Sequence, residues 1–153
     1  FSLGVININL RTKIILAIGV TLFLMLLTAL ANLWMIFAYL MVLNLSLWLV
    51  FGAMKGEDRL GPAKWLGLTS FVIWVACLAA IFHYWSIFKG KMPEFTIAGM
   101  HPGFFVLFPV MWLLSFIPVT LSYALLFDKW VMTEEDWQEY LRKIGKAPEV
   151  EYE

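Results

Sequence analysis

Three long stretches of this chain carry no charge, and that absence limits the fold more than any other feature. No Asp, Glu, Lys or Arg lies between Lys13 and Lys55, between Lys64 and Lys89, or between Glu94 and Asp128. A charged side chain at the centre of a bilayer costs roughly 3 kcal/mol even on lenient insertion scales. The stretches therefore predict membrane spans. The 62% hydrophobic and 14% charged composition agrees, being far too apolar for an ordinary soluble domain.

A helix needs about 20 residues to cross about 30 Å of hydrocarbon. The middle stretch fits one helix, 65–88. The first, Ile14 to Met54, would make a rod of roughly 60 Å, so it is divided into helices at 12–31 and 33–54. Asn32 is the only residue there with a preference for the turn between them. In the third stretch, Gly99, His101, Pro102 and Gly103 form a loop before a last span at 104–127. Pro109 and Pro118 fall inside that span, and each removes a backbone hydrogen bond, so two helix kinks are expected.

The distribution of basic residues supports four spans over three. With both termini on one side, Arg11, Lys13, Lys55, Arg59, Lys64, Lys129, Arg142, Lys143 and Lys146 share that side, and Lys89 and Lys91 share the other. Cytoplasmic loops collect Lys and Arg, so the first side is assigned to the cytoplasm and the membrane to the cell's inner (plasma) membrane. Trp48, Trp65 and Trp130 fall near one set of boundaries and Trp34 and Trp85 near the other, as an aromatic belt requires. Trp74 and Trp112 fall well inside spans, where each needs a packing partner or an acceptor.

The expected organisation is an all-α polytopic protein: a cytoplasmic segment at 1–11, a four-helix membrane domain at 12–128, and a cytoplasmic tail at 129–153. The tail holds a short amphipathic helix at 133–145. Thr133 caps it, Glu134, Glu135 and Asp136 favour its positive end, Arg142 and Lys143 favour the other, and Gly145 stops it. Trp137, Tyr140, Leu141 and Ile144 share one face, expected to dock on the inner membrane surface or on a neighbouring subunit. Phe1 to Leu10 is mildly apolar with no initiator Met, the mark of a processed or incomplete start.

Candidate chemistry is sparse. Eleven basic and eleven acidic residues cancel, which leaves no basic face for nucleic acid. Cys77 stands alone, excluding an internal disulfide, a thiolate zinc site and a CxxC pair. Phosphate-loop, dinucleotide, zinc-protease and nucleophile-elbow motifs are absent, so no catalytic activity is expected. No metal site is expected either. His83 and His101 are the only histidines, both near one membrane face, where a haem or chlorin shared between them is the one cofactor to consider. Against it stand the belt segment His83-Tyr84-Trp85 and the turn Gly99–Gly103, each of which accounts for its histidine. Asn32, Asn44, Ser46, Thr69, Ser70, Ser115, Thr120 and Ser122 are the polar groups at depth. Such groups either line a pathway for sodium or a polar substrate or bond to a neighbouring helix or their own backbone. Gly52 to Gly56 and Gly99 to Gly103 have GxxxG spacing, but Lys55 and Pro102 interrupt them.

Arg59-Leu60-Gly61 with Gly67, then Gly99-Met100-His101-Pro102-Gly103, then Glu139-Tyr140-Leu141-Arg142-Lys143 follow an order of elements. That order, from about Leu33 to Lys143, resembles the carboxyl-terminal helices of sodium:solute symporters. The resemblance implies a piece or accessory subunit of a transporter and carries over no binding residue. The residues themselves point first to a non-catalytic membrane subunit that stabilises or docks partner subunits, with the lipid bilayer and other membrane proteins as partners. Part of a sodium-coupled transporter is the second expectation, and a redox anchor near a haem or quinone the third.

Overall fold

The computed structural model describes residues 9–55, 59–61, 63–126, 129–130 and 132–145. Most of the segment at 1–11, Phe1 included, lies outside them, as do Gly56, Asp128 and Lys146. The fold is all-α, with four helices long and apolar enough to cross a membrane and a short helix after them.

Helix α1, Leu10–Leu30, starts earlier than expected because the Asn9 side chain accepts the Thr12 N–H at 2.9 Å and caps the first turn. It ends in a Schellman motif. The Leu33 N–H donates to the Thr28 carbonyl (2.8 Å) and the Asn32 N–H to the Ala29 carbonyl (3.1 Å). Asn32 takes the left-handed conformation, φ 57°, that this motif requires after a helix end. The turn expected at Asn32 is therefore present. Helix α2 runs over Trp34–Gly52 and α3 over Ala63–Phe88.

The fourth span begins at Pro102, two residues before the expected start. Pro102 and Gly103 belong to the helix rather than to a loop: a proline at the first helical position loses no needed N–H. The span alternates between winding modes. Pro102–Phe105, Met111–Phe116 and Ser122–Leu126 are α-helical, while Val106–Val110 and Ile117–Leu121 are π-helical. The π turns hold Pro109 and Pro118. The missing proline N–H is thus taken up by local rewinding, which keeps the span continuous.

Contacts between consecutive helices step in opposite directions along the two partners, so the spans run alternately up and down. Arg11 sits over the Phe51 ring (5.1 Å) and Ile18 accepts from Asn44; Trp34 meets Phe82 and Trp85; Trp74 meets Ser115. Each helix packs mainly on its neighbours in sequence. A closed bundle, which four short-looped spans would suggest, is not formed: among the described residues α1 makes no comparable contact with α3 or the fourth span. The spans form an open row, because each interface uses only one edge of a helix that is apolar all round.

Helices α2 and α3 meet closely at one glycine. A Cβ on Gly67 would overlap Val50 Cγ2, so the α3 backbone lies directly on the α2 side chains there. Ser70, one turn on, is fully buried.

Candidate functional site

The row has two chemically different ends. Its basic end gathers Arg11 beside Phe51, the α2 terminus and the tail. The Trp130 ring fills the space above Gly61, whose φ of 42° and missing side chain admit it, and its Nε1 donates to the Ala53 carbonyl at 2.9 Å. Lys55 pairs with Asp136 of the tail helix, Glu134–Lys143. This helix has the expected cap. Thr133 accepts the Asp136 N–H through its side chain, and the Asp136 carboxylate accepts the Thr133 N–H and hydroxyl. Lys55 and Thr133 together hold the Asp136 carboxyl well below the ordinary carboxylate range. Lys143, one turn from Glu139, lowers the Glu139 carboxyl in the same sense.

The residues expected on the docking face separate. Trp137 and Tyr140 stack at 5.7 Å and are exposed, and Leu141 is half-buried. Ile144 is exposed but lies after the last helical turn, which closes at Gly145 with φ 68°.

At the opposite, loop end, Trp34 meets Trp85 edge-on at 4.9 Å and Phe82 at 5.2 Å. The chain then makes a tight hairpin, Ile97 to Met100, whose two central residues Ala98 and Gly99 both have positive φ. That hairpin delivers His101 to the head of the fourth span. His101 Nδ1 accepts the Gly103 N–H at 3.1 Å, so the imidazole is the span's cap. A neutral ring with Nδ1 as acceptor carries its proton on Nε2. The head of the span lies beside α3 at Gly103, where an added Cβ would stand in ordinary van der Waals contact with the His101 ring and Tyr84.

Between α3 and the fourth span lies an open cleft of about 370 Å³. Ile81, Trp85 and Phe88 line one wall, and His101, Phe104 and Leu107 the other. Lys89 stands at the mouth with its ammonium 4.8 Å from the Trp85 ring centre. His83 is exposed and does not line the cleft. It is two residues from both Ile81 and Trp85, which in a helix of about 3.6 residues per turn puts it on the far side. The two histidines therefore do not converge there. Among the described residues, no three His, Cys, Asp or Glu side chains come together in a way that could hold a metal ion.

Of the polar groups within the spans, Asn44, Ser46 and Ser70 are buried, while Thr69 and Thr120 are exposed. Asn44 donates to the Thr21 hydroxyl (2.7 Å) and the Ile18 carbonyl (3.2 Å), and Trp74 Nε1 donates to the Ser115 hydroxyl (2.6 Å). Ser46, Thr69 and Ser115 donate to backbone carbonyls of their own helices. The Ser70 hydroxyl is buried without a partner among the described residues. Sequence reasoning missed Thr21. Its place, where the α1 face meets Asn44, is set only by the hairpin register. Trp112, which was expected to need a partner, is instead 69% exposed at mid-span.

Comparison of the chain with protein-family models, with curated proteins and with solved structures gave no match.

Proposed function

We propose that this chain is a non-catalytic integral membrane subunit of a larger assembly in the inner (plasma) membrane, with both termini cytoplasmic, where it docks and stabilises partner subunits. One observation carries the reading. Among the described residues the fourth span packs mainly on α3, and it presents the Trp112 indole outward near its middle with no acceptor there for Nε1. Hydrocarbon offers no acceptor to that N–H, whereas a carbonyl or hydroxyl of a neighbouring protein span does. The exposed Trp137 and Tyr140 of the latched tail helix supply a second surface at the basic end. Its orientation follows from the basic residues gathered there.

The test is purification in mild detergent. A stoichiometric partner is expected with the wild-type chain, and Trp112→Phe, which keeps the ring and removes the N–H, is expected to weaken its retention. Deletion of 133–153 is expected to do the same from the other end. A chain that runs as a single free subunit, and whose photo-crosslinker at position 112 captures no protein in intact membranes, would overturn the reading.

A second reading, part of a sodium-coupled transporter, is favoured by the two π turns at Pro109 and Pro118. Broken helices at depth serve ion coordination where they line a cavity. Sodium-stimulated uptake by the isolated chain would establish it in place of the subunit reading.

A further inference from the structure

The cleft at the loop end offers a chemistry that docking does not use. We propose that it binds one acidic phospholipid, with an acyl chain between α3 and the fourth span and the headgroup phosphate at Lys89. This is independent of the subunit reading and would hold for a chain that acts alone.

Three features select this occupant. The cleft lies along the last two turns of α3 and the first two of the fourth span, so it spans the outer edge of the hydrocarbon and the headgroup layer. Its walls are aromatic and aliphatic, and Trp85, Phe104 and Leu107 are each partly exposed, so it opens sideways into lipid rather than upward into water. The polar groups lie at its head. The Lys89 ammonium is held over the Trp85 ring at the mouth, and His101 lines the same cleft with Nδ1 engaged in the cap and Nε2 left as a donor. One cation and one neutral donor suit the two free oxygens of a singly charged phosphodiester. No carboxylate lines the cleft among the described residues. A zwitterionic headgroup would bring its own cation to Lys89, and an uncharged amphiphile would leave Lys89 without a counter-ion.

The chain is reconstituted in nanodiscs of zwitterionic phospholipid containing a minor fraction of lipid with brominated acyl chains, which quench nearby indoles. The Trp85 signal is taken as the difference between wild type and Trp85→Phe. Brominated phosphatidylglycerol is expected to quench it about fivefold more effectively than brominated phosphatidylcholine, the factor for one basic residue at an anionic membrane surface. Lys89→Gln is expected to abolish the preference, Lys89→Arg to keep it, and Lys91→Gln, outside the cleft, to leave it unchanged. Native mass spectrometry provides a readout that does not depend on Trp85: wild type retains a phosphatidylglycerol that Lys89→Gln loses. Equal quenching by both lipids would mean boundary lipid only and overturns the proposal. So does an equal loss in Lys91→Gln, which would mean diffuse surface charge, or displacement of the bound lipid by a stoichiometric free fatty acid, which would make the occupant a carboxylate.

Discussion

Helix α3 and the fourth span are equally apolar, with mean hydropathies of 2.1 and 2.2, yet 22% of one and only 6% of the other is buried within the chain. The difference lies in the number of helices each one packs against. Helix α3 has Gly67 on α2, allowing contact at the level of the main chain, and has partners on both sides. The fourth span packs along α3 from its head at Gly103, through the Trp74–Ser115 hydrogen bond, to the Ile117–Leu121 turn, but among the described residues it has that one neighbour, on one side only. In lipid, apolarity gives no preference for a protein neighbour. Close packing and hydrogen bonds decide which helix surfaces meet.

Four experiments break or sharpen that contrast. Gly67→Ala forces α2 and α3 apart and is expected to cost about 1–3 kcal/mol, the usual range for overpacking, measured by thermal unfolding in detergent. Val50→Ala in the same chain should restore most of the loss, and no recovery would remove the close-approach argument. Next, Asn32→Val places a β-branched residue in the left-handed turn and should cost about 1–2 kcal/mol, while Asn32→Gly should be neutral or stabilising. Asn44→Leu deletes two interhelical hydrogen bonds and Ser115→Ala one, and about 0.6 kcal/mol should be lost for each bond. Ser115→Ala should also shift Trp74 emission. Leu113→Ala, on the exposed face of the fourth span, should change the stability of the isolated chain by less than about 0.5 kcal/mol. A larger loss would show that this face of the span has an intramolecular partner.

The tail latch adds a pH test. Because Lys55 and Thr133 lower the Asp136 carboxyl in the folded state, its contribution is present at neutral pH. It declines progressively as pH falls from the ordinary carboxylate value towards that lowered one. Protease access to 129–145 should stay constant from neutral pH down to the ordinary carboxylate range and rise progressively from there, and Asp136→Asn should show the open pattern at neutral pH.

Much of the architecture was legible in the residues. Charge-free stretches located the spans, and Thr133, Asp136 and Gly145 marked the tail helix because caps are local chemistry. Asn32 marked the hairpin for the same reason. The cap role of His101 was not legible, since it depends on the Ile97–Met100 hairpin that turns the ring back on Gly103. Gly67 entered only through a motif order, although it admits a close contact between α2 and α3, because a glycine's value in a membrane lies in what approaches it. Which faces of the spans meet was not legible for a related reason: helices apolar on every side carry no stripe to show which face is inward.

By itself the sequence determined the number of spans, their alternation and the ends where charge collects, because excluding ions from hydrocarbon is a property of each segment alone. Only the tertiary structure decided that the spans stand in an open row, that His101 and not His83 lines the cleft with Lys89, and that Trp112 faces outward. Those outcomes depend on which side chains meet across a seam, and in an apolar solvent that is settled by fit and hydrogen bonding between helices rather than by the character of any one of them.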